Sequence, residues 1–171
     1  MNMKHFHWLA ALMMAVATST SWAANEVRFG DWVSASHQDN SYFVAATSNE
    51  SGNTITLACY VEIDTCFWIL ITGHTCEVDS RYVALVNAAS SAKSVELACI
   101  ELEGAKMMVF QDFDAIESVI RGIGLIGIAF PMKDGAFVVM RFKLDGSGAA
   151  IDHAKDRAAR HSKTSTHDQR L

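Results

Sequence analysis

The chain has 171 residues, half of them hydrophobic, with 14 Lys/Arg against 19 Asp/Glu and four cysteines. That is one domain's worth of chain with enough apolar residues for a real core. The acidic balance excludes a nucleic-acid binder, which needs a basic stripe along the phosphates: sixteen acids oppose eight bases between residues 24 and 151, and only the segment from 152 on is slightly basic.

Residues 1–23 read as a secretory signal. Lys4, with His5 and His7, gives a short positive start, and Trp8 to Ala17 is an apolar run too short to span a bilayer. Ser21-Trp22-Ala23 puts small residues at the −3 and −1 positions, so cleavage is expected after Ala23. The signal holds no cysteine for lipid attachment, and no later run is long and apolar enough for a transmembrane helix. The mature chain is therefore expected in a periplasm or outside the cell, where thiols oxidise.

Strands follow. Val27 to Val33 (VRFGDWV) and Ser41 to Ala46 (SYFVAA) read as two strands joined by a polar stretch. Asn49-Glu50-Ser51 is a glycosylation sequon by pattern, and Ser51-Gly52-Asn53 turns into the next strand. Ile55, Leu57 and Cys59 alternate with Thr54, Thr56 and Ala58, and Cys66 to Thr72 (CFWILIT) is apolar throughout. A hairpin of 54–62 with 65–72 brings Cys59 beside Cys66. Cys76 lies just past it, and Cys99 shares a face with Val95 and Leu97 in the later run Ser94 to Glu101.

Four cysteines allow three pairings, and sequence does not choose among them. The hairpin favours Cys59–Cys66 with Cys76–Cys99. Zinc is the competing use, held by Cys59, Cys66, His74 and Cys76. The spacings are not the paired C-x-x-C kind, however, and the compartment favours disulfides.

Arg81 to Val86 and Ser94 to Glu101 form a second hairpin around Asn87 to Ala92, followed by the strand Ala105 to Phe110, whose Met107 and Met108 fill core space. Asp114 with Glu117 three places on is a capping box, opening a short helix to about Arg121. Gly122, Gly124 and Gly127 spell G-x-G-x-x-G, but a helix precedes them and a strand follows. The dinucleotide fingerprint needs the reverse order. Leu125 to Phe130, the Pro131–Gly135 turn and Ala136 to Leu144 make a last hairpin. Ser147 caps a final helix with Ile151, Ala154 and Ala158 on one stripe, and from 159 the apolar pattern ends in an expected disordered tail. The fold class is mainly β: an antiparallel sandwich or barrel of eight or nine strands, with one short internal helix and a C-terminal helix, in a single domain over 24–158.

No catalytic motif stands out. There is no G-x-S-x-G elbow. His37 lies in a polar loop, His153, His161 and His167 belong to the final helix and tail, and only His74 lies near the core-forming strands. Asp112 and Asp114 are two apart, with Asp114 used as a cap and Asp112 solvated. No catalytic, cofactor or metal residue is assigned.

Phe29-Gly30-Asp31-Trp32 near the start of the mature chain resembles a segment of the invasion-associated locus B family of exported bacterial proteins. So does Arg141-Phe142-Lys143-Leu144-Asp145-Gly146 followed by Ala149-Ala150-Ile151. The resemblance implies a periplasmic or envelope-associated β-sandwich without known catalysis, linked in some pathogens to host-cell invasion.

The expected function is that of an exported, disulfide-stabilised, non-catalytic protein that binds another protein in the envelope or outside the cell. Loops 34–40 and 47–53 and the C-terminal tail are the candidate contact regions. The alternative is a small periplasmic hydrolase or zinc-dependent enzyme using His74 with nearby thiols or acids.

Overall fold

The structure is a computed structural model describing residues 25–73, 76–89, 91–102, 104–131 and 137–168. The signal segment, His74 and most of the turn after Pro131 lie outside the described residues. Among the described residues the strands are β1 (Val27–Phe29), β2 (Trp32–Ser36), β3 (Tyr42–Ser48), β4 (Thr54–Tyr60), β5 (Thr65–Ile71), β6 (Arg81–Ala88), β7 (Ser91–Leu102), β8 (Ala105–Phe110), β9 (Leu125–Pro131) and β10 (Phe137–Lys143). Helix α1 (Phe113–Ile120) lies between β8 and β9, and α2 (Ser147–Asp168) follows β10.

All ten strands form one antiparallel sheet in the order β1-β2-β3-β4-β5-β8-β7-β6-β9-β10. No ladder closes β1 onto β10. The sheet nevertheless curls hard. Trp32 of β2 meets Trp68 of β5 edge to face at 6.2 Å, though strands three places apart in a flat sheet are separated by about 14 Å. The inner face holds one continuous core, from Trp32, Phe43 and Leu57 through Leu97 and Ile128 to Phe142. Both helices cover that face. Ile116, Val119 and Ile120 of α1 and Ala150, Ile151 and Ala154 of α2 are buried in the same cluster.

The two ends of the sheet are clasped at a seam. The Trp32 indole Nε1 donates to the Lys143 carbonyl at 2.9 Å, and the Asp31 amide donates to the Asp145 carbonyl at 3.0 Å. Gly30 and Gly146 face each other there, both with positive φ (56° and 82°). A Cβ on Gly30 comes within 2.8 Å of the Asp145 carbonyl oxygen, and one on Gly146 falls onto the Phe29 carbonyl. This contact explains why VRFGDWV is two strands and not one. Phe29 pairs with Trp32 around a two-residue turn that starts on Gly30, so the chain reverses where a single strand was expected.

Other boundaries moved as well. The N-cap of α1 is Asp112 and not Asp114: Asp112 is extended, and its Oδ1 accepts from the Ala115 amide at 2.9 Å. Asp114 sits in the first turn, where its charge suits the helix dipole. The second hairpin is tighter than expected, with Ala88 opposite Ser91. Helix α2 runs to Asp168, past the boundary at 159. Arg157 lies over the Phe43 ring at 5.0 Å, and the His161 ring packs on it at 4.8 Å, so polar residues with no apolar stripe still have a docking partner.

Ser147 does not cap α2. It is the first residue of that helix and is buried, and its hydroxyl donates to the Ile120 carbonyl at the end of α1 at 2.7 Å. Gly146 precedes it, and its carbonyl accepts from the Ala150 amide. Ser147→Ala is expected to leave that helix-end carbonyl unpaired and to lower stability by about 1–2 kcal/mol. Urea unfolding should show a lower midpoint with an unchanged slope.

The structure joins Cys59 to Cys66, directly opposite each other on β4 and β5, and Cys76 to Cys99, tying the segment before β6 to β7.

Candidate functional site

Two surface regions can receive another molecule. The first is the outer face of the sheet, which no helix among the described residues covers. Because side chains alternate, the register assigns Ile69, Val109, Ala98 and Arg81 to one outer row, with Ile71, Met107 and Ile100 in the next. Apolar residues dominate this face, and many are open: Val83 is 60% exposed, Leu85 50% and Val139 47%. Soluble monomers rarely leave so many large side chains on one contiguous face.

A groove of about 420 Å³ runs over β5, β8 and β7, floored by Ile69, Ala98 and Val109 and walled by Phe67, Ile100 and Met107. The Arg81–Glu96 ion pair crosses the outer face next to it. A ladder of rings leads to the groove. His37 stacks on Tyr42 at 4.9 Å, Tyr42 meets Tyr60 at 5.4 Å, and Tyr60 meets Phe67 at 6.1 Å. Beneath the ladder Ala35, Val44 and Ala58 are buried although they point outward. Aromatic rings in this arrangement present wide, stiff apolar area at small entropic cost.

The second region is a polar cleft of about 430 Å³ at the seam. It lies between Asp31 and the β3–β4 turn (Asn49, Glu50, Ser51) on one side and Val139, Arg141 and Lys143 of β10 on the other. The turn is stiff: Asn49 Oδ1 accepts from the amides of Ser51 and Asn53, and Thr47 Oγ1 donates to the Asp31 carbonyl at 2.8 Å. Lys143 Nζ lies 3.5 Å from Asp31 Oδ1.

The residues singled out in the sequence are scattered. With both disulfides formed, no sulfur of Cys59, Cys66, Cys76 or Cys99 is available as a thiolate ligand or nucleophile. Of the expected contact loops, 34–36 is buried strand, while 37–41 supports the ring ladder and 49–51 walls the cleft. In the first, Asp39 Oδ1 lies 2.7 Å from His37 Nδ1 and accepts from the Ser41 amide. The Ser41 hydrogen bonds, followed by that of His37, hold its carboxyl far below the ordinary range.

The α1–α2 contact is an ion cluster. Lys155 Nζ lies 2.7 Å from both Glu117 oxygens, and Arg121 bridges Glu117 and Asp152. Burial pushes the Glu117 carboxyl up, but the hydrogen bonds from Lys155 and Arg121 outweigh it and leave it below its ordinary value. This cluster joins two helices and opens into neither region, so its role is to hold α2 against α1.

His153 packs between α2 and the sheet, with Nδ1 3.0 Å from Ser34 Oγ and its ring 5.5 Å from that of Phe29. Burial, then the charges of Arg157 and Arg160, push its pKa below the ordinary 6.5, against a smaller pull from Asp156. The unfolded chain therefore binds the proton more readily, and stability falls as pH drops through 6.5. His153→Gln is expected to flatten the dependence of Tm on pH between roughly 7.5 and 5. An unchanged slope in thermal scans would show that other groups set it.

The outer face escaped the sequence reading. RYVALV is apolar at successive positions, which suggests burial on both sides, yet Ala84 and Val86 are buried while Val83 and Leu85 are not. The signal for an open face was the lack of polar alternation on strands that could not all be central.

No family model and no curated protein matches the chain. Among solved structures, the crystal structure of invasion associated protein B from Bartonella henselae is similar, with a TM-score of 0.56 at 8% identity. The match covers 77% of this chain and 96% of that one. The likeness is one of fold. The segments that carried the sequence resemblance, Gly30-Asp31-Trp32 and Lys143-Leu144-Asp145-Gly146, are the two sides of the seam and touch each other. They mark how this sheet is clasped.

Proposed function

We propose that the chain is an exported, disulfide-stabilised, non-catalytic protein that binds another protein through the outer face of its sheet. The observation that carries this reading is the open apolar face from β5 to β10, with its groove and ring ladder. Export is supported by the N-terminal segment 1–23 and by two disulfides, which persist in oxidising compartments. Among the described residues no helix is long and apolar enough to cross a membrane. The partner presents a complementary apolar surface, with aromatic or aliphatic anchors for the groove. A role in virulence is an extension of the same reading and rests on the likeness of fold alone.

The test is photo-crosslinking in cells producing the full chain with its own signal. A crosslinker at Leu85 on the outer face should capture one dominant protein, and one at Asp156 on α2 should not. With that crosslinker in place, Val83→Lys with Ile100→Lys should abolish capture at an unchanged Tm. Capture that survives these changes, or that is equal from both positions, would sink the outer-face reading. A crosslinked second copy would replace the foreign partner with self-association.

A further inference from the structure

The seam cleft exposes more than side chains. The Leu144 amide donates to the Gly124 carbonyl in the register that pairs β10 with β9. Even-numbered residues of β10 therefore bond to β9, and odd-numbered ones turn their N–H and C=O to the other side. The Lys143 carbonyl confirms this direction, since it is the acceptor of the Trp32 indole. Further back along the same edge Val139 and Arg141 point their backbone groups into the cleft, and among the described residues no partner reaches them.

Their side chains line the same cleft on the outer face, with Leu125 opposite Lys143 across the β9–β10 ladder. Lys143 is engaged by Asp31, while among the described residues no carboxylate pairs with the Arg141 guanidinium. Glu50 stands on the facing turn.

Resting on the reading that the chain binds another protein, we propose that the free edge of β10 takes up an extended segment of that partner as an added antiparallel or parallel strand. A carboxylate of that segment lies beside Arg141, and an apolar side chain two positions away lies over Val139. Two features favour a peptide over a second copy's β10. The β3–β4 turn and Asp31 wall the edge, leaving a slot and not a flat rim. Two-fold pairing of β10 with itself would also bring two Arg141–Lys143 pairs together. Strand addition supplies affinity through the main chain, and alternate side chains supply specificity. The Glu50 and Asp31 carboxylates on the far wall place the incoming acid at Arg141 and nowhere else in the slot.

The experiment uses the mature protein and a synthetic ten-residue peptide of alternating threonine and valine with one central glutamate, read by amide hydrogen exchange. In the free protein the amides of Val139 and Arg141 should exchange fast beside protected Met140 and Phe142. Saturating peptide should slow both by at least about tenfold. Arg141→Gln should weaken binding about tenfold for this peptide but not for its glutamine counterpart. Val139→Pro should abolish the protection with Tm unchanged, because that N–H belongs to no ladder bond.

Val139 and Arg141 amides that stay fast at saturation, or a Val139→Pro variant that binds as well, would overturn the proposal. So would protection that appears without peptide in a dimer. The two readings separate: loss of peptide protection with Leu85 crosslinking intact sinks the edge alone. Protection with no outer-face crosslinking sinks the outer-face reading and leaves the edge.

Discussion

Gly146→Ala should destabilise the protein by at least about 3 kcal/mol and lower its Tm by roughly 10 °C. Two penalties act together. At φ 82° an L side chain is strained, which by itself costs about 1–2 kcal/mol. The added methyl also meets the Phe29 carbonyl and the Gly30 amide, both backbone atoms held by the seam. Neither can yield without opening the Asp31–Asp145 and Trp32–Lys143 hydrogen bonds. Gly52→Ala is the control. Gly52 has a similar φ of 76° and nothing within 4 Å of a built Cβ, so it should cost only about 1 kcal/mol. Equal effects at the two glycines in chemical denaturation would mean that strain alone matters and that the seam is soft.

Removing Cys76–Cys99 should cost about 3.5 kcal/mol, and removing Cys59–Cys66 about 2.5 kcal/mol, if each acts by limiting the unfolded chain. The order follows from the sequence separations, 23 against 7. Local structure sharpens the contrast. Cys59 and Cys66 already face each other across a β4–β5 ladder that holds without the sulfurs. The segment from Cys76 to Ser80 has fewer anchors, chiefly the pair of backbone bonds between Asp79, Ser80 and Cys99. Double serine variants of each pair, unfolded in guanidinium, give the comparison. A larger loss at Cys59/Cys66 would show that the short bridge stabilises the native sheet directly and not through chain entropy.

Much of the fold was legible because most strands obey a period of two. The β4–β5 hairpin, β8, β9 and β10 fall close to where alternation and turn residues put them, and α1 ends at Ile120, one residue short of the expected Arg121. The turn at Gly30 and the length of α2 share one cause, contact between segments far apart in the chain. Nothing local tells that Gly30 begins a turn; the tight approach of Asp145 and Gly146 requires it. Nothing in ARHSK marks a helix, but Phe43, over a hundred residues earlier, supplies the surface that Arg157 and His161 cover. Asp112 outranked Asp114 as cap because β8 ends at Phe110, which fixes where the helix can start. The binding surfaces were less legible still. Whether an apolar residue on a strand is core or open depends on which face the helices cover, and periodicity carries no record of that choice.

The clasp at the seam also orders events in time. Trp32 and Lys143 are 111 positions apart, and the inner face cannot close until β10 has been laid down beside β9. A chain that emerges N-terminal end first holds β1 to β5 as hairpins of local contacts, while their shared curl waits for the last strand and α2. Contacts of such long range are entropically expensive to make early, so closure falls late and is slow compared with hairpin formation. Of the contacts that clasp the sheet, those at the seam are the ones a growing chain is able to make last.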